Sequence, residues 1–286
     1  MVIQLENAKK NYGSFELNCS MKLEPGCVTG LIGRNGAGKS TAFKLILGLI
    51  QADGGKITID DKNAADLDSD TKRKLGVVLA ESGFSGYLKI KDVAKILKAA
   101  YPSFKEDDFV SQCEKQGLPK DKQIREFSTG MKAKLKILAA LSHDAKVLIL
   151  DEPTSGLDVI AREEILDMLR EYMKKEDNSI LISSHIASDL EGLCDDVYMI
   201  ENGQILLHEE TGVILDEYGV LKVTAEQYAK LEKEYLLCAK EESYGYACLT
   251  AQKAFYRENY PDITIEKAGI DQVITLMISA NGKKEA

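Results

Sequence analysis

Short runs of alternating or continuous apolar residues, punctuated by turn residues, organise the first part of the chain. Residues 1–6 (Met-Val-Ile-Gln-Leu-Glu) alternate apolar and polar side chains, and residues 14–22 do so again. That is the period of a strand with one buried face. Pro25-Gly26 marks a turn, and residues 27–32 form an apolar strand that enters a glycine-rich loop. The pattern then predicts a helix over residues 39–50, a strand over 56–60 and an apolar strand over 75–79. From about residue 85 to 127 the period becomes helical. Val93, Ile96, Leu97 and Ala100 share one face until Tyr101-Pro102 interrupts, and a second helical stretch surrounds Phe109 and Cys113. This segment reads as a helical insertion between sheet elements.

The sheet resumes with apolar runs at 147–150 and 180–183, separated by a helical stretch. Strand, helix and strand in that order imply a parallel crossover and an α/β core. Residues 197–201 and 204–207 flank Asn202-Gly203, a favoured hairpin dipeptide. Beyond residue 209 the pattern predicts strands at 220–223, 236–239 and 263–266 and helices at 225–235, 251–260 and 270–279, a small α+β appendage.

Composition narrows the class. The chain has 286 residues, 44% hydrophobic and 29% charged, as in ordinary globular proteins. At this length it needs no disulfide staples. Its six cysteines form no C-x-x-C pair and read as small buried hydrophobes of a reducing compartment. The formal net charge of -9 argues against a nucleic-acid partner. The N-terminal alternation is a strand pattern, not a targeting segment, and no apolar run approaches the ~20 residues of a membrane span. Any pore this chain serves is therefore expected on another polypeptide.

Gly33-Arg34-Asn35-Gly36-Ala37-Gly38-Lys39-Ser40 fits the P-loop pattern G-x-x-x-x-G-K-[ST]. Glycines let consecutive backbone N–H groups converge on an anion, and the helix that follows points its positive end at phosphate. Gly33, Asn35, Gly36, Ala37, Gly38, Lys39, Ser40 and Thr41 are the candidate nucleotide cradle, and the motif alone says only that the chain is an NTPase. Lys39 is placed to reach the β/γ-phosphates, and the Ser40 hydroxyl to ligate Mg²⁺. The run 147–150 ends in Asp151-Glu152, two carboxylates at a sheet edge. Asp151 is the second candidate for Mg²⁺, and Glu152 the candidate general base for the attacking water. Read without context, Asp-Glu-Pro is equally a charged helix start.

Phe127-Ser128-Thr129-Gly130-Met131 lies between these two motifs. Here the chain resembles the ATP-binding-cassette ATPases, whose signature in this place is Leu-Ser-Gly-Gly-Gln. By itself the segment is only a capped amphipathic helix, with Met131, Leu135, Leu138 and Leu141 on one face and Lys132, Lys134 and Lys136 outside. The resemblance implies that Ser128 and Gly130 bind the γ-phosphate held by an opposing subunit. It also implies that Ser155-Gly156-Leu157-Asp158 is the loop that crosses the dimer interface, that His185 contacts the γ-phosphate and that Tyr12 stacks on adenine. A lone His is more often structural, and a Tyr beside Gly is often mere packing; His143 and His208 lack any such context. The chain departs from the family where a glutamine usually follows the strand at 75–79. Ala80 stands there, with Glu81 beside it.

The resemblance covers residues 1–208, with a helical subdomain over about 84–142, and extends only loosely to 209–286. It implies a P-loop α/β core with an antiparallel β subdomain. It further implies an ATP-hydrolysing subunit of an exporter on the cytoplasmic face of the membrane, paired as a homodimer or heterodimer of cassettes. Separate transmembrane permease subunits would contact the helical segment 84–127, near Phe84 and Tyr87, although core packing is an equal reading of those two aromatics. The other reading is a soluble cassette ATPase of DNA repair or the ribosome. Such relatives carry a long coiled coil or two cassettes, and neither is present here.

Overall fold

A computed structural model describes residues 1–281. β1 (Ile3–Asn11) and β2 (Glu16–Leu23) pair antiparallel, and every second residue of β2, from Leu17 to Leu23, is buried. β3 (Val28–Ile32) is buried throughout and leads through the glycine-rich loop into α1 (Lys39–Ile46). The helix stops short of the expected residue 50. Gly48 adopts φ +63° there, and the Gly48 and Leu49 amides donate back to the carbonyls of Leu45 and Lys44. That pattern closes a helix C-terminus. β4 (Gly54–Ile59) and β5 (Lys62–Asn63) complete an antiparallel sheet in the order β2-β1-β4-β5.

α2 (Ser69–Arg73) precedes β6 (Leu75–Val78). α3 (Ile90–Ala100), α4 (Glu106–Lys115) and α5 (Thr129–Leu141) then form the helical insertion, around a core of Ile90, Val93, Phe109, Cys113 and Leu135. On α5, Lys134 is not outside as its neighbours suggest. It is buried against the next helix and pairs with Glu164 at 2.7 Å. His143 is structural: it stacks on Tyr101 at 3.8 Å, and its ring nitrogens meet the carbonyls of Leu75 and Ala139.

β7 (Val147–Asp151), α6 (Val159–Met173), β8 (Ser179–Ser184), α7 (Ala187–Glu191), β9 (Asp196–Glu201) and β10 (Gln204–Glu210) complete the second sheet. Its order is β10-β9-β3-β8-β7-β6, with β6, β7, β8, β3 and β9 mutually parallel. Covered on both faces, these strands read as continuous apolar runs. The β9–β10 turn is as expected: Asn202 (φ +48°) and Gly203 (φ +76°) are both left-handed.

The C-terminal unit comprises α8 (Thr211–Glu217), β11 (Gly219–Val223), α9 (Ala225–Lys230), β12 (Leu236–Glu242), β13 (Gly245–Thr250), α10 (Lys253–Asn259), β14 (Thr264–Lys267) and α11 (Ile270–Asn281). Its sheet runs β12-β13-β11-β14. The expected strands are found, with β13 added. The expected helix at 225–235 ends at Lys230, because Leu231 turns extended and buries itself. The boundary expected at 209 falls inside β10. Residues 282–286 of the expected unit lie outside the described residues. One face of this sheet packs Leu221, Val223 and Cys248 around Tyr256. Its other face, with Val220, Ala247 and Leu249, is continuous with the core of the parallel sheet at Ala187, Leu190 and Val197. The unit is therefore fused to the sheet domain.

Gly203 also lies against β2: a Cβ there would overlap the Glu16 carbonyl. Gly203→Ala is expected to lose about 2 kcal/mol or more of stability, from the left-handed φ and the clash together. Urea denaturation checks this, and an unchanged midpoint would refute it.

Candidate active site

Parallel strands that end at one edge of the sheet place the loops after β3, β7 and β8 side by side. β3 pairs with β8 and β8 with β7, so the P-loop, Asp151-Glu152 and His185 become neighbours despite their distance in sequence.

In the P-loop, Gly36 (φ +85°) and Gly38 (φ +114°) carry left-handed angles. These turn successive amides toward one point, an anion cradle at the start of α1. Gly38 is wedged against β2, since a Cβ there would come 2.9 Å from Leu17 Cδ1. Gly203 N–H donates to the Ala37 carbonyl at 2.9 Å, so the β9–β10 turn braces the loop. Asn35 and Gly36 are exposed at its tip, and Ser40 and Thr41 are half-buried in the first turn of α1.

Lys39 is only 5% exposed. Its ammonium donates to the carbonyls of Gly33 at 2.7 Å and Arg34 at 3.2 Å, and lies 3.0 Å from Glu152 Oε1. That contact is out of line for a hydrogen bond, so Oε1 is a buried acceptor with unused capacity. Glu152 Oε2 meets His185 Nδ1 at 2.5 Å. Glu152 itself has φ +52°, an angle that costs a non-glycine residue about 1–3 kcal/mol and marks functional sites. Ser183 fixes it: the Glu152 amide donates to Ser183 Oγ at 2.9 Å, and that hydroxyl donates to Asp151 Oδ1 at 2.6 Å. Asp151 is 3% exposed, at the very end of β7.

Ser128 caps α5, its Oγ accepting the Met131 amide, and Asp158 caps α6, accepting the Ala161 amide at 2.9 Å. Gly130 makes the helix starts touch, for a Cβ there would sit 2.9 Å from Ala161 Cβ. Ser128, Gly130 and Asp158 thus form a second group. Among the described residues no hydrogen bond or ion pair joins it to the P-loop. Tyr12 is 52% exposed, in a turn held by the Asn11 amide donating to Asp53 at 2.7 Å. That amide, with Lys10, holds the Asp53 carboxyl below the usual carboxylate range. Ala80 and Glu81 are exposed in the turn after β6, the strand beside Asp151. His208 stacks on Tyr198 and bonds Asp196 at 2.6 Å, away from these groups. Sequence reasoning passed over Ser183, although it lies in the Ser-Ser-His run.

A cradle of backbone amides, a buried lysine and two carboxylates at a sheet edge define a nucleotide-binding P-loop ATPase. The ABC transporter family matches residues 17–155. The chain is 36% identical over 217 residues to the lantibiotic transport ATP-binding protein SrtF of Streptococcus pyogenes, covering 73% of this chain and 91% of that protein. It is 34% identical over 209 residues to the bacitracin transport ATP-binding protein BcrA of Bacillus licheniformis, covering 72% of this chain and 68% of that one. A solved ATP-binding subunit of an ABC transporter superposes with a TM-score of 0.66 at 25% identity, over 75% of this chain and 92% of its own. The chain belongs to the ABC transporter family and is an ATP-binding, ATP-hydrolysing subunit.

Gly38→Ala is expected to weaken ATP binding at least tenfold, because an L side chain rarely adopts its φ of +114° and the new Cβ would also crowd Leu17 and Phe15. Fluorescent-nucleotide titration measures this. Affinity within twofold of wild type would show that the cradle does not depend on Gly38.

Proposed function

We propose that the chain drives an exporter by hydrolysing MgATP between two cassettes. The observation that carries the reading is the contiguous set Lys39, Glu152 and His185 beside the P-loop. The relatives named for lantibiotic and bacitracin transport favour peptide antibiotics as cargo, and they support transport over repair or ribosomal work. Among the described residues no helix is long and apolar enough to cross a membrane, and the proposed pore is a separate permease. The chain would then sit on the cytoplasmic face of that permease. Its docking side is the helical segment, where Tyr87 is 72% exposed and Phe84 lines a cavity of about 370 Å³ with Arg125, Lys132 and Lys136. Affinity purification of the chain from its native membrane tests this: recovery with no membrane-spanning polypeptide whose presence alters its ATPase would refute the transport role.

The P-loop amides, Lys39 and Thr41 would hold the phosphates, and Tyr12 would cover the adenine. The γ-phosphate competes with Glu152 for the Lys39 ammonium. Binding thereby frees Glu152 to take a proton from the water that attacks phosphorus. His185 holds Glu152 in place and reaches the γ-phosphate. Ser40 and Asp151 are the residues that fit Mg²⁺, a half-buried hydroxyl in the first turn of α1 and a buried carboxylate at the end of β7. When bound, that ion neutralises phosphate charge. Ser128 and Gly130 would complete the site of a second copy, with Asp158 at the crossing. Val159 and Ile160 beside Asp158 are 77% and 75% exposed, an apolar pair that a second cassette would cover.

Glu152→Gln is expected to cut turnover at least a hundredfold while ATP still binds. Sedimentation should show that variant as a monomer without ATP and a dimer with it. Near-wild-type turnover would remove Glu152 as base, and a monomer at saturating ATP would remove the homodimer. Glu81, standing beside the position of the missing glutamine, is proposed to take its place near Mg²⁺. Glu81→Ala should then raise the Mg²⁺ concentration for half-maximal hydrolysis, and Ala80→Gln should reverse the effect. An unchanged Mg²⁺ titration in the isolated subunit would assign Glu81 to the permease contact instead.

A further inference from the structure

Asp189 in α7 is 2% exposed and has no part in the steps above. Its Oδ2 accepts the Thr154 hydroxyl at 2.6 Å, and its Oδ1 lies 3.7 Å from Arg162 Nε. Thr154 follows the proposed base Glu152, Arg162 follows Asp158 in α6, and α7 begins just after His185. One buried carboxylate thus ties together the three segments that present Glu152, Asp158 and His185. The Ile186 amide donates to Ser184 Oγ at 2.9 Å, a bond that spans His185, and α7 begins at the next residue.

A helix as short as Ala187–Glu191 cannot hold its own place, because isolated short helices are unstable in water. Its position comes from its neighbours, and the C-terminal unit is one of them. Glu191 Oε1 accepts the amide of Ile270, the first residue of α11, at 2.7 Å. Gly269 permits the approach, because a Cβ there would sit 2.9 Å from the same oxygen. Ala187 and Leu190 share one core with Ile270, Val273 and Leu276.

We propose that α7 is a strut through which the C-terminal unit sets His185 against Glu152, with Asp189 and Glu191 as positioning residues. The proposal rests on the roles given to Glu152 and His185 above. Neither strut residue touches nucleotide. Loss of either should lower the rate of the chemical step and leave ATP binding in place.

The test is steady-state ATPase of the full chain. Glu191→Ala should lower kcat about five- to tenfold with the KM for ATP within about twofold. Glu191→Gln, which keeps an acceptor oxygen for the Ile270 amide, should recover most of that loss. Asp189→Asn, of the same shape, reads the other end of the strut and should also lower kcat at unchanged KM. On a His185→Ala background neither substitution should reduce the residual turnover further, since residues acting through one another are not additive. Equal fold losses with and without His185 would overturn the strut and leave the His185 assignment intact. So would an unchanged kcat accompanied only by a lower melting temperature. Wild-type turnover in the single His185→Ala variant would overturn the His185 assignment, and the strut with it.

Discussion

An ammonium group at 5% exposure has to be surrounded by oxygen, and Lys39 draws that oxygen from both its own loop and another strand. The Gly33 and Arg34 carbonyls fold the P-loop around it, and Glu152 reaches across from the end of β7. Removing one partner of such a buried pair typically costs about 3–5 kcal/mol, because the other charge is left without water. The pairing also orients Glu152, which in turn holds His185 from β8. Three strand ends are thereby locked into one arrangement by a lysine that also has affinity for phosphate. The same contact that organises the site is the one a phosphate group can displace.

Around this centre the protein spends conformational freedom where it matters. Glu152 takes a left-handed backbone angle, and Ser183 anchors it by bridging its amide to Asp151. The P-loop is braced from outside by the β9–β10 turn at Ala37 and by Leu17 of β2. Both antiparallel elements thus act on the cradle without containing any of its chemistry. The C-terminal unit extends this support, since its inner sheet face shares a hydrophobic core with α7.

Much of this was legible in the sequence, for identifiable reasons. The apolar runs of β3, β7 and β8 and the Asn202-Gly203 turn carry strong local signals, and the P-loop spacing is dictated by backbone geometry. Ser128 was legible as a helix cap because capping is local. What escaped depends on contacts distant in sequence. Lys134 looks like an outward charge until α6 supplies Glu164. Asp189 looks like an ordinary helix acid until Thr154 and Arg162 meet it. The end of α1 was misjudged because Gly48 lies within an apolar stretch that continues the helical period. The strand β13 went unrecognised because its hairpin turns at Gly245 with few turn residues beside it.

The position of β3 has a consequence for a chain still emerging from the ribosome. β3 is made well before either of its sheet neighbours, β8 and β9, which come from residues 179–201. Leu31 and Ile32, fully covered in the finished fold, have no sheet partner until residues 179–201 have been translated. Through that interval the P-loop has no strand to spring from. The sheet that carries the nucleotide cradle is thus closed by contacts of high sequence separation, the kind that form slowly.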